Sequence, residues 1–218
     1  IKPLQGVGKV FGNTTAIKPL YDDNKTISLS QSAFPQYSEA DPYKMAACSI
    51  NTAVKNLVVM GANFKKIAIL DNFCWCSSDE EGRLYELRKA AEACYDYAVH
   101  YNTPFISGKD SMYNDFKGFN QKNNTIKISI PPTLLISSIG IVDEINHLTK
   151  ITPEKNDVIY VLGETHNELD KSQYENFFRV KKTNIPKVNA TKSLDLYKRF
   201  EKANKKNLFT SALGVDLG

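Results

Sequence analysis

Two short polar runs in this sequence hold residues able to bind a phosphate and its counter-ion. Asp71 and Asn72 follow the apolar run Ile67 to Leu70, and Ser107-Gly108-Lys109-Asp110-Ser111 follows Pro104 to Ile106. A glycine has no Cβ to hold backbone away from a phosphate, and the neighbouring lysine meets its negative charge. Ser111 adds a hydroxyl donor. Asp71 and Asp110 are oxygen ligands of the kind magnesium takes when it also holds nucleotide phosphates. Gly108-Lys109 is not a P-loop, because that motif needs a glycine where this chain has Thr103. The same residue types also end strands as plain turn and cap residues, and spacing alone leaves both readings open. No catalytic residue is assigned. None of His100, His147 and His166 stands beside a nucleophile, and nothing in the chain nominates a general base.

These groups act together only if the elements before them finish on one rim. Between the two runs Leu84, Leu87, Ala91, Cys94, Ala98 and Tyr101 recur at helical spacing, which predicts a helix over roughly Asp79 to Tyr101. Ser78 and Glu81 form a capping-box pattern at its start, and His100 suits the negative end of its dipole. A crossover helix makes the flanking strands parallel, with their carboxyl ends on the edge where open sheets with helices bind ligands.

The rest of the chain supplies that sheet. A loop opens it, and a short strand is predicted around Thr15 to Ile17 and another over Thr26 to Ser30, followed by a surface loop. Asp41 and Pro42 announce a helix whose apolar stripe, Ala46 to Val58, ends at Gly61. After the second polar run, MYNDFKGFNQKNN reads as a hairpin-like loop. Thr125 to Ile130 alternates, Pro131 and Pro132 interrupt, and Thr133 to Val142 reads as a central strand. Residues 1–150 are thus expected to form one α/β domain. HLTKITPEKND resembles a linker. The strand Asp157 to Leu162, a helix around Leu194 to Ala203 and the start of another strand at LFTSALGVDLG follow, so residues 151–218 read as the truncated beginning of a second α/β domain.

Composition narrows the class. Of 218 residues, 42% are apolar and 24% charged, which disfavours disordered and membrane classes. The net charge of +4 is small and dispersed, so no nucleic-acid partner is expected, and the Lys181, Lys182, Lys187, Lys192 cluster reads as a solvated face. Cys74 and Cys76 form a C-x-C pattern without a second pair at zinc spacing, and read as structural. No apolar run of about 18 residues argues for a membrane span. Reduced thiols fit a cytoplasmic protein.

At DPYKMAACSINTAVKNLVVMGA, IAILDNFCW, PFISGKDSMYNDF and PPTLLISSIGIVDEI the sequence resembles the phosphoribosylformylglycinamidine synthase family, of the aminoimidazole ribonucleotide synthetase superfamily. The four motifs recur in order over roughly Gln5 to Gly163. The resemblance implies an N-terminal α/β domain, a mixed sheet flanked by helices that pairs with a counterpart sheet into a barrel, and hence a homodimer. It implies a ligase of purine biosynthesis in which ATP activates the formamide oxygen of formylglycinamide ribonucleotide and ammonia from glutamine displaces phosphate. ATP and Mg2+ are the implied cofactors, and the remainder of the synthetase and a glutaminase domain or subunit the implied partners. The fragment by itself is expected to be inactive. By motif, Asp71, Gly108 and Lys109 are the implied ATP contacts, Ser111 a substrate contact and Asp110 a metal ligand. The chain departs from the family pattern at Gln36, where members commonly have arginine, at Lys109, where they often have asparagine, and at Leu213 and Gly214, where they usually have a His-Asp pair. Another synthetase or kinase of the superfamily, or a non-catalytic structural half, fits the same motifs.

Overall fold

The computed structural model describes residues 2–3, 12–179 and 183–215. Strands β2 (Thr14–Lys18) and β3 (Thr26–Ser32) pair antiparallel, and β1, the two residues Lys2–Pro3, lies along β2 where a loop was expected. A strand there satisfies backbone groups that the edge of β2 would otherwise leave to solvent. The rest of the expected opening loop, residues 4–11, lies outside the described residues, as do Lys181 and Lys182 of the basic cluster.

Helix α1 (Pro42–Met60) begins and ends on its sequence signals. Asp41 accepts a hydrogen bond from the Lys44 N–H at 3.0 Å, and Gly61 closes the helix at φ 107°. Strand β4 (Ile67–Cys74), helix α2 (Glu81–Tyr101) and strand β5 (Phe105–Ser111) form the crossover unit, and β4 and β5 are parallel as expected. Strand β8 (Thr133–Val142) is central, antiparallel to β3 on one side and β4 on the other. The main sheet runs β1-β2-β3-β8-β4-β5, with β6 (Asp115–Phe119) and β7 (Thr125–Ser129) as a separate two-stranded hairpin. Helices α3 (Gln173–Phe178) and α4 (Ala190–Asn204) follow the sheet in the chain, and Pro35–Tyr37, Phe64–Lys66 and Ile145–His147 are short 3-10 turns.

Several expectations need correction. Strands β4 and β5 do not stop at Leu70 and Ile106; their polar continuations stay in the ladder as far as Cys74 and Ser111. Each strand has a neighbour whose backbone groups pair with its own, so polar side chains do not end it. The Ser78–Glu81 capping box is not made, since Glu80 is the N-cap and makes no side-chain cap bond. Within the hairpin-like loop expected after Ser111, Asp115–Phe119 form β6, paired antiparallel with β7. Residues 157–162 are not a strand, and at the C-terminal end a single bridge, Lys150 to Ser211, replaces the expected one.

Helices α1 and α2 cover one face of the sheet. Along β8 every second residue, Leu134, Ile136, Ser138, Gly140 and Val142, is buried beneath them, and the Ser138 hydroxyl donates to the Ala53 carbonyl of α1 at 3.0 Å. Helix α1 is buried on more than the sheet-facing stripe, because the segment from Ile185 onward lies across it. The Cys48 thiol donates to Pro186 O at 3.6 Å and the Tyr97 hydroxyl to Val188 O at 2.9 Å. Asn51 Oδ1 accepts from Tyr101 of α2 at 2.8 Å and from Tyr197 of α4 at 2.6 Å. Burial pushes both phenols above their ordinary range, so both remain neutral donors. Replacing Tyr197 by phenylalanine removes one buried hydrogen bond and is expected to cost about 1–2 kcal/mol. For a chain of this size that lowers the melting temperature by roughly 2–8 °C, which thermal unfolding followed by circular dichroism would measure.

The other sheet face carries the alternate residues, among them Ile27, Leu29, Leu135, Ile139 and Ile141, none of them buried. Among the described residues no helix is long and apolar enough to cross a membrane.

Candidate functional site

The parallel ladder fixes where each candidate side chain stands. Ile69 pairs with Phe105, Ile106 is skipped, and from Leu70 opposite Ser107 the pairing is regular: Asp71 with Gly108, Asn72 with Lys109, Phe73 with Asp110, Cys74 with Ser111. The two strand ends therefore lie side by side on one rim. A bulge at Ile106 resets the phase just before the polar run begins.

Side chains alternate across a sheet, so the five candidate residues divide between its faces. Asp71, Gly108 and Asp110 take the helix side. Phe73, of the same row, packs against the core and lies 6.0 Å from Trp75. Burial, and with it the charge of Asp71, pushes the Cys94 thiol of α2 up to about 12. Lys109 and Ser111 take the open side with Asn72 and Cys74, and there the Cys74 thiol donates to Asn72 Oδ1 at 3.5 Å. The rim is shared, but the phosphate-type lysine and the carboxylates approach it from opposite faces.

On the helix side the carboxylate of Asp71 lies directly over Gly108. A Cβ at position 108 would fall 2.4 Å from Asp71 Oδ1, well inside contact distance. Burial raises the Asp71 carboxyl above its ordinary range; a hydrogen bond from the Lys109 N–H opposes that, and the charge of Asp110 adds to it. Two carboxylates therefore share one side of the rim, and among the described residues neither has an ion-pair partner. That arrangement fits a magnesium ion, which takes one or two carboxylates and completes its shell with water and phosphate oxygens. Among the described residues no group of three or more His, Cys, Asp or Glu could hold a metal without such outside ligands.

Behind the rim is a polar joint that the sequence reading missed. Ser111 O accepts from Trp75 N–H at 2.8 Å and from the Asn114 amide at 2.6 Å, so the end of β5 is tied to the end of β4 and to the hairpin. Asp115 Oδ2 accepts from the Ser77 N–H at 3.0 Å and meets Lys127 Nζ at 3.5 Å, and Lys127 also pairs with Glu80. The Tyr113 hydroxyl donates to Asp79 Oδ1 at 2.7 Å. Tyr113 and Asp115, shortly after Ser111, were the available signal, but the partners they find here, Asp79 and Ser77, lie more than thirty residues away.

Residues 12–142, more than half of the chain, match the family model for the N-terminal domain of AIR synthase related proteins. The chain belongs to this family. All five candidate positions fall within the match to the AIR synthase related domain. Phosphoribosylformylglycinamidine synthase subunit PurL of Nitratiruptor is 28% identical over 202 residues, 90% of this chain and 26% of that protein. The Staphylococcus carnosus PurL subunit is 27% identical over 200 residues, 88% of this chain and 25% of that protein. Among solved structures, Thermotoga maritima PurL complexed with ATP superimposes with a TM-score of 0.61 at 16% identity, over 89% of this chain and 27% of that one. The same protein complexed with FGAR gives 0.59, also at 16% identity, over 89% of this chain and 26% of that one. The chain is thus an AIR synthase related domain distantly related to PurL, with the same α/β fold, and spans about a quarter of the length of the curated relatives it matches.

Proposed function

We propose that this chain contributes an ATP site to an ATP-dependent ligase of purine biosynthesis, the conversion of formylglycinamide ribonucleotide, glutamine and ATP to formylglycinamidine ribonucleotide. The observation that carries the reading is the bare backbone of Gly108 held against Asp71, beside Asp110, at the carboxyl rim of a parallel strand pair. On this reading Asp71 and Gly108 take the nucleotide from the helix side and Asp110 holds Mg2+. Lys109 reaches phosphate from the open side, where Ser111 contacts the ribonucleotide substrate. Bound Mg2+ would neutralise the two carboxylates and the phosphates together; the chain's own residues position it and supply the N–H groups around it.

Other contributions come with that proposal. Residues 151–218 begin a second domain of the same enzyme, the glutaminase lies on another domain or subunit, and the whole works in the cytoplasm. The open sheet face, with Ile27, Leu29, Ile139 and Ile141, pairs with a second copy into a barrel. The chain by itself lacks synthetase activity. A structural, non-turning site is the second reading, favoured by two departures from the family pattern: Tyr37, next to Gln36, is fully buried against Phe34, and Gly214 sits where a Cβ would fall 2.4 Å from Asn56 Oδ1. Both segments are used for packing here.

Titration of the chain with magnesium and ATP in a calorimeter tests the proposal. Saturable heat is expected, weakened at least tenfold by Asp71→Ala, a loss of about 1.4 kcal/mol. Binding indifferent to that substitution would remove Asp71 from the site. Incubation with formylglycinamide ribonucleotide, ATP and ammonia is expected to yield no product from this chain alone.

A further inference from the structure

In the turn that follows β5, Tyr113 sits at φ 59°, a left-handed conformation that is an outlier for a bulky L side chain. Strain of this kind persists only where the surroundings hold it, and such residues cluster at functional sites. Here the hold comes from both sides. The Tyr113 hydroxyl donates to Asp79 Oδ1 at 2.7 Å and its carbonyl accepts from the Asp115 N–H at 2.7 Å. Asp115 in turn accepts from the Ser77 N–H at 3.0 Å and pairs with Lys127.

The turn folds Asn114 back onto Ser111. The Asn114 N–H donates to Trp75 O at 2.9 Å and its carbonyl accepts from the Ile130 N–H at 3.3 Å, so the backbone that carries the side chain is fixed. The side-chain amide meets Ser111 at two points: Nδ2 donates to Ser111 O at 2.6 Å, and Oδ1 accepts from Ser111 Oγ at 3.4 Å. The shorter bond decides which way round the amide lies. With Oδ1 and Nδ2 exchanged, an oxygen would face the Ser111 carbonyl oxygen at that distance, two acceptors in contact. Oδ1 therefore faces the hydroxyl. A carbonyl oxygen only accepts, so the hydroxyl proton of Ser111 is committed to Asn114.

We infer that Asn114 is a positioning residue that makes Ser111 a hydrogen-bond acceptor. Given the proposed contact between Ser111 and the ribonucleotide, on which this rests, the group of that substrate facing Ser111 is a donor, an N–H or O–H. Among the described residues no group donates to Ser111 Oγ, so its lone pairs are left for the ligand. An ionised phosphate oxygen can only accept and finds no donor there; it belongs with Lys109, on the same open side of β5. The donor comes from a ribose hydroxyl or from an amide N–H of the formylglycinamide arm.

Calorimetric titration with formylglycinamide ribonucleotide tests this on the whole chain and on Ser111→Ala, Asn114→Ala and the double variant. Ser111→Ala is expected to weaken binding about tenfold and Asn114→Ala about three- to fivefold, the range of one neutral hydrogen bond. The double variant should bind no more weakly than Ser111→Ala, because a residue that acts through another adds nothing once that other is gone. Affinity for MgATP, taken from the helix side, is expected to be the same in Asn114→Ala as in the parent. Ribose 5-phosphate identifies the donor: a Ser111→Ala penalty equal to that for the whole ribonucleotide assigns a ribose hydroxyl, and no penalty assigns an amide N–H. Unchanged ribonucleotide affinity in Asn114→Ala, an equal loss of MgATP affinity, or losses that add in the double variant would each overturn the positioning role while leaving the Ser111 contact standing. If the parent binds no ribonucleotide, or Ser111→Ala binds it as the parent does, the contact itself falls and the positioning role with it.

Discussion

Replacing Gly61 by alanine is expected to destabilise the protein by about 2–5 kcal/mol, lowering its melting temperature by roughly 5–15 °C. Two independent costs meet at this position. The residue terminates α1 at φ 107°, a conformation that L side chains rarely adopt. A Cβ there would also lie 2.0 Å from the carbonyl oxygen of His147, which is backbone and has little freedom to withdraw. That same oxygen accepts from the Asn204 amide at 2.7 Å, so moving it also loosens α4. The contrast is Gly82 in the first turn of α2, where an added Cβ meets nothing within 4 Å. Gly82→Ala is expected to gain up to about 0.5–1 kcal/mol from helix propensity. Chemical denaturation of the two variants side by side checks both signs.

The difference between these glycines marks how far the sequence could be read. Gly61 as a helix terminator followed from the apolar stripe before it; that it abuts His147, some eighty residues on, did not. The crossover unit was legible because its signal is local: one amphipathic period between two apolar runs. Its ends were not, since Asp71 and Asn72 look like a strand terminus until β8 and β5 are known to pair with 71–74 on both sides. The capping box at Ser78 failed for a related reason. The segment from Ser77 to Glu80 is engaged by Asp115, Tyr113 and Lys127 of the hairpin region, and the helix starts only after it. Asp157 to Leu162 shows the opposite error. Its residues favour a strand, but a strand needs a neighbour, and among the described residues none is offered. The site was visible as a set of residue types. Its division between two faces was not, because one skipped residue, Ile106, sets the phase of everything after it.

On the proposed ATP site, Gly108→Ala should have the largest effect on nucleotide binding, and Asp71 provides the means of showing why. An alanine methyl at 108 would fall 2.4 Å from Asp71 Oδ1 and 2.9 Å from its Cγ, so the carboxylate has to turn away and give up the Lys109 N–H. Affinity for MgATP is expected to fall by roughly a hundredfold or more, about 2.7 kcal/mol, with about 1–3 kcal/mol lost from stability. If the clash is with Asp71, the stability cost should largely vanish when Ala replaces both residues, a coupling that a double-mutant cycle isolates. An unchanged cost in the Asp71→Ala background would place the strain elsewhere. Asp71→Asn separates charge from shape. Because the folded protein raises the Asp71 carboxyl, it holds that proton more tightly than the unfolded chain does. The associated stability is present at low pH and lost as pH rises through the raised value, so at neutral pH the ionised group is a net cost. Asp71→Asn is therefore expected to melt higher than the parent at pH 7, with the advantage shrinking as pH falls to the carboxylate range, while binding MgATP more weakly. Stability and affinity moving in opposite directions on removal of one charge is what a carboxylate kept for a cation, at the expense of the fold, would produce.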